Sequence, residues 1–72
     1  MARDQLRNKL LLAVQSHALG HIDKHIANVE VLAQNPVGIG EHQDIIHAIE
    51  EELEHIATYR DQVEILEQYF QI

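Results

Sequence analysis

Asn35-Pro36-Val37-Gly38-Ile39-Gly40 is the one concentrated helix-breaking stretch in the chain, and the fold turns on it. Proline disfavours the α region for the residue before it, and the glycines that follow supply backbone freedom. On either side the sequence reads as helix. The spacing predicts a first arm over about residues 2–34, a loop at 35–40 and a second arm over about 41–69. At a rise of about 1.5 Å per residue, each arm is roughly 45 to 50 Å long. Glu41 and Asp44 fall in the first turn of the second arm, where carboxylates stabilise the positive end of the helix dipole. No strand pattern or internal repeat competes. The expected fold class is all-α, a single domain over residues 1–72 built as an antiparallel two-helix hairpin.

Apolar periodicity says how the arms pack. In the second arm Ile49, Ile56, Val63 and Phe70 recur at intervals of seven, flanked by Ile45, Leu53, Tyr59 and Leu66. The first arm carries a seam through Leu11, Val14, Ala18, Ile22, Val29 and Leu32. Beside it runs a second set, Leu12, Leu19 and Ile26, displaced by roughly 80° on a helical wheel. A single partner helix cannot cover both sets, so the pattern predicts two hairpins dimerising into a four-helix bundle.

Size argues the same way. A chain this short buries only about 60% of its unfolded surface and needs supplementing by disulfides, a metal or association. With no cysteine, disulfides, thiolate zinc sites and cysteine nucleophiles are excluded, and a reducing cytoplasm is the expected compartment. The apolar run Leu10-Leu11-Leu12-Ala13-Val14 falls short of a signal-peptide core and of the roughly 20 residues of a membrane span. Five Lys and Arg against twelve Asp and Glu give a formal net charge of −7, which argues against nucleic acid and anionic membranes as partners. The basic residues Arg3, Arg7 and Lys9 lie in the first arm and the acidic Asp61, Glu64 and Glu67 in the second, so folding about the loop is expected to bring opposite charges together.

Six histidines in 72 residues are the unusual feature, and His17, His21 and His25 stand four apart on the first arm. Four residues overshoot a helical turn by about 40°, so this ladder drifts from solvent at His17 to the seam at His25. An antiparallel register sets His25 near Glu51 and Glu52, and His21 near His55. Two readings follow. In one, His25 and Glu52 form a buried polar layer that fixes register. In the other, His21, His25, Glu52 and His55 bind a transition metal, because histidines at i and i+4 chelate and nitrogen with carboxylate ligands suits zinc, iron or nickel. The polar layer is the preferred reading, with no cofactor expected. A pH sensor is a third use for imidazoles beside an acidic helix.

Other constellations are incomplete. Glu52-Leu53-Glu54-His55 has the Glu-x-x-His spacing of di-iron bundles and resembles half-ferritin proteins to that extent, but Glu30 is the only glutamate of the first arm and falls roughly 100° from the seam. Glu50, Glu51, Glu52 and Glu54 resemble the magnesium-binding helix of all-α nucleotide pyrophosphatases, whose second acidic motif is missing here. Gly38-Ile39-Gly40 follows no strand and precedes Glu41, which would repel a phosphate. Ser16 and Thr58 read as ordinary mid-helix residues, and Tyr59, Tyr69 and Phe70 as core and end packing. No catalytic set can be assembled.

The stretches His17-Ala18-Leu19-Gly20-His21-Ile22, Ala27-Asn28-Val29-Glu30-Val31-Leu32 and Asn35 to His42 resemble small helical proteins of tailed phages of marine cyanobacteria and related marine sequences. The likeness covers most of the chain. It implies a phage or marine bacterial source and transfers no catalytic residue. The expected function is that of a small homo-oligomeric structural or protein-interaction module, with a metal-binding bundle as the alternative.

Overall fold

Between Ala2 and Gln34 there is no proline and only one glycine, and the chain forms an unbroken 33-residue helix, α1 (Ala2–Gln34). The second arm forms the 29-residue α2 (His42–Phe70). This computed structural model describes residues 2–34 and 42–72. The loop expected at 35–40 and the place of Glu41 lie outside the described residues. Asp4 and Asp44 occupy first turns, where their charge complements the helix dipole. Among the described residues there is no strand, and no helix is long and apolar enough to cross a membrane.

The helices pack side by side as a hairpin. Arg7 meets Phe70 near one end and His25 meets Glu52 further in, so the two run in opposite directions. At the end of α2, Gln71 adopts a left-handed conformation (φ 58°), and the Ile72 N–H donates back to the Leu66 carbonyl at 3.3 Å. Arg7 Nη2 donates to the Phe70 carbonyl at 3.0 Å, putting a cation on the negative end of that helix. The expected pairing of charges therefore takes another form. Among the described residues no ion pair joins Arg3, Arg7 or Lys9 to Asp61, Glu64 or Glu67, and Glu64 pairs along its own helix with Arg60 at 3.7 Å.

Ala18 and Leu66 are buried, and Leu11, Ile22, Val29, Leu32, Ile45, Ile49, Ile56, Tyr59 and Val63 are half-buried along the same seam. Three residues expected in the seams are exposed: Val14, Leu53 and Phe70. A straight α-helix drifts by about 20° per heptad, which rotates the outer members of a seven-residue series off a single partner. Leu53 has a second reason. The inner face of α2 takes Glu52, Tyr59 and Leu66, and Leu53 projects about 100° beyond Glu52.

The second apolar set is left uncovered, with Leu12 48%, Leu19 45% and Ile26 46% exposed. These residues lie about 100° to one side of the Ala18–His25 line, whereas His17 and His21 lie on the other side. In an antiparallel pair, the same sense of rotation on both helices leads to the same side of the hairpin. Leu53 and Ile46, both exposed, therefore flank the Leu12–Leu19–Ile26 ridge, while His55 falls on the histidine side. The molecule is a thin rod of 60 × 16 × 12 Å with 5780 Å² of accessible surface. A compact monomer of its mass, 8.3 kDa, would expose about 4,600 Å².

Candidate functional site

His17, His21 and His25 rise one turn at a time along α1, and His55 and Tyr59 do the same on α2. Packed antiparallel, the two sets face each other ring to ring. The His55 ring lies on His25 (centroids 4.5 Å, planes 18° apart), and Tyr59 lies on His21 (4.3 Å, 6°). His25 is 6.2 Å from Tyr59 and 5.9 Å from His21, again with nearly parallel planes. His17 ends the column edge-on to His21 at 4.4 Å and 69°. Each ring offers a flat apolar face to its neighbours and leaves its nitrogens at the edge.

The inner end of the column is closed by hydrogen bonds. His25, only 7% exposed, donates from Nδ1 to Glu52 Oε2, and Asn28 Nδ2 donates to Glu52 Oε1 at 3.0 Å. Both carboxylate oxygens are thus engaged by α1. The bond from His25 chiefly, with that from Asn28, holds the Glu52 carboxyl below its ordinary value, against burial, which pushes it up. At the outer end, His17 Nε2 and His21 Nε2 approach to 3.0 Å on an exposed face. Burial lowers the pKa of His21, reinforced by the charges of His17, Lys24, His25 and His55. Its Nδ1 is buried without a hydrogen-bond partner. Ser16, His17, Gly20, His21 and Lys24 line a shallow depression of about 290 Å³ there.

All four residues expected as metal ligands, His21, His25, Glu52 and His55, belong to this column or to its closing hydrogen bond. His55 stacks on His25, and it is Tyr59 that covers His21. Among the described residues no group of three or more His, Cys, Asp or Glu side chains is disposed to hold a metal ion. Two participants escaped the sequence reading, Tyr59 as a stacking ring and Asn28 as a donor to Glu52. The signal for the first was the i, i+4 spacing of His55 and Tyr59, which matches that of His21 and His25; for the second it was a polar residue one turn beyond His25.

The remaining candidates are ordinary. His47 sits 3.6 Å from Glu51 on the outside of α2, Glu30 accepts from Gln34 at 3.1 Å, and the Thr58 hydroxyl donates to the Glu54 carbonyl at 3.0 Å. The column thus offers a carboxylate held by two donors, a stacked interior and a solvent-facing pair of imidazole nitrogens. No family model, curated protein or solved structure matches this chain.

Proposed function

We propose that this chain is a non-catalytic, self-associating structural or protein-interaction module, in which two hairpins pair through the Leu12–Leu19–Ile26 ridge to make a four-helix bundle. The observation that carries this reading is the ridge itself, a row of large apolar side chains on a face α2 does not cover. The surface supports it: the rod exposes about 1,200 Å² more than a compact chain of its size, and a dimer of ordinary size buries about 800 Å² per partner. A contiguous row of exposed large apolar side chains marks an interaction site. Glu52 supports the non-catalytic part, because both its oxygens are occupied by His25 and Asn28 and neither is left to act as a base. The resemblance to phage proteins of marine cyanobacteria supports a viral or marine bacterial source, with the cytoplasm of the cell as the place of action.

Sedimentation equilibrium across a hundredfold dilution tests the reading. The wild-type chain is expected at twice its monomer mass or more, and the double variant Leu19→Glu, Ile26→Glu at monomer mass with reduced helicity. A wild-type chain that remains a stable, fully helical monomer throughout would sink it.

A further inference from the structure

The outer end of the ring column has a geometry that neither helix packing nor the hydrogen-bonded layer at Glu52 requires. Two nitrogens bound to one ion at about 2.0–2.1 Å and about 90–110° apart lie roughly 2.9–3.4 Å from each other. His17 Nε2 and His21 Nε2 stand 3.0 Å apart. We infer that His17 and His21 form a two-nitrogen chelate for a divalent transition-metal ion, copper or zinc above all, on the exposed face of α1. The site shares only His21 with the set His21, His25, Glu52 and His55, and it stands whether or not the hairpin dimerises.

Several features fit the pair to this role. The Tyr59 ring, parallel to His21 at 4.3 Å, clamps one ligand in place before the ion arrives, so little ordering is needed on binding. The Nδ1 of His21 is buried, which leaves Nε2 as that ring's one nitrogen open to an ion. The face above the pair is open, since a methyl group built at Gly20 would meet nothing within 4 Å. Lys24, on the same face, is the opposing term. Its charge is solvated and flexible, and imidazole binds these ions through a directed lone pair. With His21 carrying its proton on the buried Nδ1, His17 is the donor in the N–H···N contact; on binding, the ion replaces that contact and the exposed His17 ring exchanges its Nε2 proton through water for one on Nδ1, so both rings stay neutral. Water fills the remaining coordination positions. Copper binds more tightly than zinc at such a site, following the general order for nitrogen ligands.

The test is calorimetric titration of the untagged chain at pH 7.5 with copper(II) glycinate and with zinc chloride, repeated on His17→Ala, His55→Ala and His47→Ala. Circular dichroism checks that each variant retains its helices. The expected result is one ion per chain, at least tenfold weaker binding in His17→Ala, and a change of less than twofold in His47→Ala and His55→Ala. Histidine side-chain NMR of the zinc form should shift the His17 and His21 ring signals. Unchanged affinity in His17→Ala, a loss confined to His55→Ala, or no saturable binding at one ion per chain would each overturn the inference.

Discussion

His25 shows how one buried side chain ties two helices in register. It sits where the seam of α1 would otherwise take an aliphatic residue, and its bond to Glu52 costs little because Asn28 engages the second oxygen. Breaking a buried polar pair leaves a desolvated charge, whereas replacing both partners by apolar groups is often neutral. Two groups in this cluster make stability depend on acidity, and both act in the same direction. His21 is lowered from its ordinary value of 6.5, so the unfolded chain takes up that proton first and stability declines as the pH falls below about 6.5. Glu52 is lowered from 4.5, so its contribution is complete above that value and is lost as the pH falls through it. Urea denaturation at pH 7.5, 6, 5 and 4 should show midpoints decreasing in two stages, with His21→Gln flattening the first and Glu52→Gln the second. The pairing of His25 with Glu52 was legible in the sequence, because both fall on the inner faces once the loop is centred near Gly38. The stacking order was not. It depends on the axial offset of the two helices and on side-chain rotation, neither of which a heptad pattern specifies.

At the scale of the helix, the two elements and their antiparallel packing followed from a single breaker stretch and two periodic seams. What periodicity could not say is which of several apolar residues a lone partner covers, and so Val14, Leu53 and Phe70 lie outside the interface. Gly20 poses a separate question. It lies mid-helix, exposed, with open space where a side chain would go. Alanine is favoured over glycine in such a position by about 1 kcal/mol. Gly20→Ala is therefore expected to raise the thermal midpoint by about 4–8 °C, the change about 1 kcal/mol produces in a domain of this size. Its oligomeric state should not change, because Gly20 faces away from the Leu12–Leu19–Ile26 ridge. Thermal unfolding followed by circular dichroism measures the first point and sedimentation the second.

For the whole molecule, charge opposes the association that its apolar face favours. Each chain carries a net −7, so two chains bring fourteen excess negative charges together. Screening weakens that repulsion over a Debye length of about 10 Å at 0.1 M salt. Raising sodium chloride from 20 to 500 mM should accordingly tighten the proposed dimer several-fold, read as a fall in dissociation constant by sedimentation; weakening would mean that ion pairs, not apolar burial, drive the proposed association. The paired rings bear on how the arms are held together. Rings from the two arms face each other in successive pairs along the axis, His25 with His55 and His21 with Tyr59. Sliding one arm past the other by a turn, about 5.4 Å, would force His25 out from beside His55 and Tyr59 out from beside His21. The stack alone would re-form one turn along, with His21 on His55 and His17 on Tyr59, so it is the hydrogen bonds of His25 and Asn28 to Glu52, which no shifted register reproduces, that fix the arms along the axis.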